Sequence, residues 1–179
     1  MKYRRIHILG ASGAGTTTLA KALCERTGAD HFDSDDYFWK VKYTQPWPRE
    51  LRLQMLRTGL EASDSWILSG ALIDWGNPLI PLFEAVIFLS VPNEIRMERL
   101  KAREKQRYGD AILPGGSAHE TFTEFITWAN LYENGGMDVR SRIQQEAWIT
   151  DLSCPVLCID GNRHLGQIVD EVLDFIGVS

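Results

Sequence analysis

The stretch IHILGASGAGTTTLAKAL, residues 6–23, decides the fold. Ile6 to Leu9 is a short apolar run of the kind that forms a buried strand, and from Thr17 to Arg26 the spacing becomes helical, with Leu19, Ala20 and Leu23 on one face. Between them, Gly10-x-x-x-x-Gly15-Thr16-Thr17 has the spacing of a loop that wraps a phosphate, in the strand–loop–helix context that such a loop requires. Glycines at 10, 13 and 15 permit backbone torsions and close approaches that a side chain forbids, so successive N–H groups can turn inward around an anion. The positive end of the following helix strengthens that field. Gly10, Ser12, Gly13, Ala14, Gly15, Thr16, Thr17 and Thr18 are therefore the expected phosphate contacts, and the Thr17 hydroxyl stands where a Mg²⁺ ligand belongs. One position departs from the pattern. Thr16 replaces the lysine that ordinarily neutralises the outer phosphates, Ala11 offers no substitute, and Lys21 lies more than a turn further along the helix. The alternative is a plain glycine-rich turn from strand to helix.

Outward from this stretch the chain alternates short apolar runs with longer helical ones. Strands are expected at Ile6–Leu9, His31–Ser34, Trp66–Leu68, Ala85–Leu89 and Val156–Ile159. Helices are expected at Pro48–Ala62, Asn93–Arg107 and Gln167–Ile176, with two more broken at Asn134-Gly135-Gly136. Continuous apolar strands separated by helices imply a parallel sheet covered on both faces, whose ligands bind at the carboxyl ends of the strands. The expected architecture is a three-layer α/β/α domain spanning 1–179, with a five-stranded parallel sheet.

The 179 residues suit one well-buried domain. Nineteen basic against 24 acidic side chains give a net charge of −5, which provides no broad attraction for a nucleic-acid polymer or an anionic membrane surface. Any bound anion must be held locally. Cys154 and Cys158 lie four apart in an apparent strand, roughly 13 Å in extended backbone and beyond disulfide reach, so three reduced cysteines and a cytoplasmic location are expected. The basic start MKYRRIHILG gives way after a few apolar residues to the glycine loop, which leaves no adequate signal-peptide core.

With the loop first in a five-strand pattern of this length, the sequence resembles the P-loop nucleoside and nucleotide kinases, adenylate kinase-like in layout. The resemblance implies a P-loop NTPase fold with ATP and Mg²⁺. VIFLSVPNEIRMERLKAREKQRYG resembles that family's fourth strand and the helix leading into its short helical lid, here about residues 104–140. Arg99 and Arg103 match the family's R-x-x-x-R pair facing the nucleotide, which makes them the candidates to offset charge on the transferred group. VLCIDGNRHLGQIVDEV resembles the last strand and the loop against the adenine, putting Asp160, Gly161 and Asn162 beside the base. Arg96 and Arg107, on the same helical ridge, read as a solvated stripe paired with Glu94, Glu98 and Glu104.

On the acceptor side, Asp33, Asp35 and Asp36 fall within four residues. Alternation along a strand end aims Asp33 and Asp35 at the phosphate loop, Asp33 toward Mg²⁺ and Asp35 toward the acceptor hydroxyl; the alternative is an acidic helix N-terminus favoured by the dipole. Tyr37, Phe38, Trp39, Tyr43 and Trp47 stand close to Lys40, Lys42, Arg49 and Arg52, a mixture suited to a flat ring with an anionic group. Aromatic residues are equally ordinary core. Gly70 follows the third strand where the family carries an Asp-Gly pair; the Asp is absent, and Asp74 is a weak substitute. Arg140, with Arg142, follows the lid. The four histidines lack metal-ligand spacing and Trp128 and Trp148 read as packing residues. The function implied is transfer of the γ-phosphoryl of ATP to a small acceptor, most simply a nucleoside or nucleotide. The alternatives are a shikimate-like or sugar-like hydroxyl compound as acceptor, or a nucleotide-binding sensor without turnover.

Overall fold

The computed structural model describes residues 1–41 and 44–178, so Lys42 and Tyr43 lie outside the described residues. The elements run β1 (Arg5–Gly10), α1 (Thr16–Thr27), β2 (Asp30–Asp33), α2 (Ser34–Phe38), β3 (Trp39–Val41), β4 (Gln45–Pro46) and α3 (Arg49–Glu61). They continue with β5 (Trp66–Ser69), β6 (Ala85–Ser90), α4 (Asn93–Tyr108), α5 (His119–Asn130), α6 (Arg142–Thr150), β7 (Val156–Asp160) and α7 (Leu165–Ile176). Short 3₁₀ turns occupy Asn77–Leu82 and Gly109–Ile112.

Five strands form one parallel sheet in the order β2-β5-β1-β6-β7. β1 is central and its last five residues are buried, because both of its faces are covered. Ile6 and Ile8 meet Leu19 and Leu23 of α1 and Ile168 and Val172 of α7 on one face. On the other face, Leu9 packs with Leu56 and Leu60 of α3, with Trp66 and Leu68, and with Trp148 of α6. The three-layer expectation is met, and α7 buries Ile168, Val169, Val172, Leu173 and Ile176 along one face. The sheet order reverses direction around β1, and the glycine loop leaves β1's carboxyl end at that point.

Two local elements differ from expectation. Ser34 ends no strand but starts α2, because the Asp33 side chain accepts the Asp35 N–H and caps a short helix there. Residues 39–46 include the antiparallel pair β3/β4, too short to leave a period in the sequence. Elsewhere, Met97, Leu100 and Ala129 form a small cluster that joins α4 to α5. Between them, Leu113, Pro114 and Gly115 are exposed. Lys2 N–H donates to Ile176 O at 2.7 Å, which draws the segment before β1 against the end of α7. The three cysteines are free, and no helix among the described residues is long and apolar enough to cross a membrane.

Candidate active site

The loop from Gly10 to Thr18 is shaped by different neighbours at each glycine. A Cβ on Gly10 would lie 2.6 Å from Leu89 O, so β6 leaves no room for one. Gly13, at φ +84°, rests on α4, where a Cβ would meet Arg96 O at 2.7 Å. Gly15, at φ +98°, has no atom of the described residues within 4 Å of its would-be Cβ. It is also the N-cap of α1 and supplies no side chain to cap it. The first-turn N–H groups at Thr16, Thr17 and Thr18 are thus left for an anion or solvent.

Thr17 Oγ1 donates to Asp33 Oδ2 at 2.8 Å, and Asp33 Oδ1 accepts the Asp35 N–H at 3.0 Å. A hydroxyl and a carboxylate are the hard oxygen donors that Mg²⁺ prefers, and Mg²⁺ ordinarily keeps waters and substrate phosphates for the rest of its shell. No group of three or more His, Cys, Asp or Glu that could hold a metal gathers among the described residues. Strand alternation does not set Asp35's direction. Its place in the first turn of α2 does, with Asp36 beside it, as the dipole favours.

Beyond α2 lies a cleft of about 190 Å³ lined by Phe38, Ala71, Ile73, Asp74, Trp75 and Arg140, among others. Arg140 is half-buried, stands 5.3 Å over the Trp128 ring, and interacts with the Asp35 carboxylate. Desolvation holds its guanidinium below the ordinary arginine value, against the upward pull of Asp35 and Tyr132. The Arg52 guanidinium stacks at 4.1 Å on Phe38 and 5.0 Å on Trp75, and its Nε is buried without a hydrogen-bond partner among the described residues. Desolvation lowers its value too. Arg49 turns aside and donates to Asp74 O at 2.6 Å, bracing the loop after β5. Gly70, at φ +104°, ends β5 against Ser34, whose Oγ would be 2.1 Å from a Cβ.

The paired arginines diverge. Arg99 reaches the loop and donates to Ala14 O at 3.4 Å and to Gly161 O at 3.3 Å, while Arg103 Nε donates to Glu104 Oε1 at 2.9 Å. Gly161 is fixed by packing as well as by its bond to Ser90 O, since a Cβ would press on Val91 and Leu89 at 2.7 and 2.8 Å. Asn162 is exposed, with its N–H on Asp160 Oδ1 at 2.9 Å. Arg142 engages Glu133 and Glu146.

Two expectations are overturned. Arg96 is not on a solvated stripe: it is fully buried, and Nη1 donates to Ser12 O at 3.0 Å. Position on a ridge of four arginines could not distinguish it, because the phosphate loop covers that one turn of α4. Trp128 is 38% exposed and serves as a platform for Arg140, whereas Trp148 is buried as expected. Spacing gave no hint of Gln145, which is fully buried and donates to Gly10 O at 3.2 Å. His7 is structural, with Nδ1 at 3.0 Å from Leu68 O and the ring stacked on Phe83.

A family model described as AAA domain matches residues 6–121. The chain is 47% identical over 173 residues to the uncharacterized protein YqaC of Bacillus subtilis (strain 168), covering 97% of each. Among solved structures, shikimate kinase from Bacteroides thetaiotaomicron is similar at TM-score 0.60 and 18% identity, with 98% of this chain and 99% of that one covered. A gluconokinase from Sinorhizobium meliloti 1021 is similar at TM-score 0.53 and 18% identity, covering 97% and 91%. The fold is therefore that of P-loop kinases.

Proposed function

This chain belongs to the AAA domain family, and from that premise we propose that it transfers the γ-phosphoryl group of ATP to a hydroxyl of a small, negatively charged acceptor. The observation that carries the proposal is the Thr17 hydroxyl on Asp33 Oδ2 at 2.8 Å, beside a run of helix-start amides that no side chain caps. The amides of Gly13 and of Gly15 to Thr18 take the β-phosphate, while the Ala14 N–H donates to Ala11 O at 3.0 Å within the loop. Thr17 and Asp33 would hold Mg²⁺, which when bound neutralises charge on the outer phosphates. Arg99 sits beside the loop and Arg103 one turn further along α4; both would swing over the γ-phosphate in place of the missing lysine as residues 104–140 close. Gly161 and Asn162 would flank the adenine.

Asp35 orients the acceptor. The acceptor oxygen forms its bond to γ-phosphorus, the bond from γ-phosphorus to the bridging oxygen breaks with its electron pair left on ADP, and the hydroxyl proton passes to Asp35. Arg52 and Arg140 would hold the acceptor's negative group, with Gly70 forming the backbone wall and Arg49 bracing Asp74. Arg140 in the cleft wall, with Arg52 stacked behind the Phe38 and Trp75 rings that line it, favours an anion over a neutral alcohol. A cleft of about 190 Å³ lies below the ~300–1,000 Å³ typical of larger ligands and favours a small acceptor. The solved neighbours named for shikimate and gluconate agree with that size class. A nucleoside or nucleotide is the second reading, favoured by the aromatic side chains of Phe38 and Trp75 in the cleft wall. The remaining proposals are a single domain over 1–179 and a cytoplasmic location.

The test is a ³¹P assay of the purified chain with ATP, MgCl₂ and a panel of hydroxy-carboxylates, sugars, nucleosides and nucleoside monophosphates. Phosphorylation of a hydroxy-carboxylate that Asp35→Asn abolishes is the expected result. Turnover confined to nucleosides or their monophosphates replaces the acceptor assignment. ATP binding without turnover on any member makes the chain a nucleotide sensor.

A further inference from the structure

We propose that Arg96 and Gln145 are positioning residues that grip the phosphate loop from behind and fix the direction in which its amides point; the proposal rests on the phosphate-binding reading above. Both are fully buried. Arg96 Nη1 donates to Ser12 O at 3.0 Å, and Nη2 donates to Asn93 Oδ1 at 2.7 Å and to Glu133 Oε1 at 3.3 Å. Its guanidinium lies 4.8 Å over the Tyr132 ring. Gln145 Nε2 donates to Gly10 O at 3.2 Å, and its Oε1 accepts the Tyr132 O–H at 2.6 Å.

The consequence follows from peptide geometry. In a trans peptide the C=O and the next N–H point in opposite directions, and every described peptide is trans. Ser12 O held toward α4 therefore turns the Gly13 N–H away from α4, toward the concave side of the loop. Gly10 O held by α6 does the same for the Ala11 N–H. Gly13 has no freedom to tip back, because it already rests on Arg96 O. Arg96 acts here as a clamp rather than as a source of field. Arg96 and Arg142 share Glu133, and Arg142 also engages Glu146, so the buried positive charge is matched locally.

Thr16 gives the clamp its importance. With an ammonium at that position, a misdirected amide can be tolerated, since a flexible cation follows the anion. Without one, anion affinity depends on the alignment of the amides themselves. Tyr132 belongs to the last part of the proposed lid and Gln145 to α6, so the loop's geometry is tied to the lid's carboxyl-terminal end.

The experiment uses the ¹⁵N-labelled full chain titrated with sodium pyrophosphate. In the wild type, the amide signals of Gly13, Thr16 and Thr17 are expected to move together. Arg96→Met keeps the apolar stem and removes the donor; it is expected to weaken pyrophosphate binding about tenfold to a hundredfold. At saturation the Thr17 shift returns and the Gly13 shift does not. Gln145→Met is expected to weaken binding several-fold. A role confined to stability would lower the melting temperature and leave both affinity and the Gly13 shift intact, and that outcome overturns the clamp. A wild type in which Thr16 and Thr17 move while Gly13 stays still overturns it without any variant. If none of these amides moves at millimolar pyrophosphate, the phosphate-binding reading falls and the clamp falls with it.

Discussion

Gly13 and Gly15 share a left-handed backbone, and substitution at each should fail differently. Gly13→Ala drives a methyl into Arg96 O and strains the backbone, an expected loss of roughly 2–5 kcal/mol of stability in denaturant melts. Gly15→Ala meets only the backbone strain, roughly 1–2 kcal/mol, yet its methyl enters the open space over the helix start. Its stability should be nearly normal and its ATP affinity, by calorimetry, at least about tenfold weaker. Equal affinity would mean that the anion does not sit there. His7 provides a pH signature. Burial lowers its value from 6.5 to about 4, against the opposing bond to Leu68 O. The fold thus favours neutral imidazole, its stabilisation is complete above pH 6.5, and up to roughly 3 kcal/mol is lost as pH falls from 6.5 toward 4. His31 is lowered as well, by desolvation first, and adds a loss of the same sign. His7→Gln should flatten the melting temperature across that window; an unchanged slope would remove His7 as its cause. The phosphate glycines were legible in the sequence because their spacing is dictated by backbone torsion. The buried states of His7 and Arg96 were not, since a polar residue between apolar neighbours says nothing of which surface comes to cover it.

Asp33 does two things at once as an element terminus: it caps α2 and accepts from Thr17. These can be separated. Asp33→Asn retains a good helix cap and should melt within about 0.5 kcal/mol of wild type, whereas Asp33→Ala should lose about 1 kcal/mol. Both should raise the magnesium concentration needed for half-maximal ATP turnover by tenfold or more, if that carboxylate holds the cation; an unshifted magnesium titration in Asp33→Asn would exclude it. At this scale legibility follows length. α7 carries its full apolar stripe over twelve residues and was readable, as were the β-branched and apolar runs of β1 and β6. The five residues of α2 and the β3/β4 pair are too short for either period to accumulate, and a capping contact decides the first of them.

For the whole molecule, sheet order was legible only as a class, because strand apolarity records burial on two faces and not the neighbour on either side. The cleft at Arg140 was legible even less, since it joins residues from α2, from the loop after β5 and from the chain before α6. A ligand seated on the central loop touches elements anchored in both cores, so its binding should register globally. At a hundredfold excess of ATP over Kd the gain is about 2.7 kcal/mol, which for a chain of this size corresponds to a rise of roughly 5–10 °C in Tm. A flat melting curve at millimolar magnesium ATP would contradict the proposed binding. The Lys2–Ile176 hydrogen bond carries a topological freedom. Because those two flanks already lie side by side, a brief glycine-serine tether could join them into a ring, and a nick in the exposed turn at Leu113–Gly115 would reopen it as a circular permutant. Such a rewired polypeptide would wind the same sheet while carrying both of its loose ends beside α5.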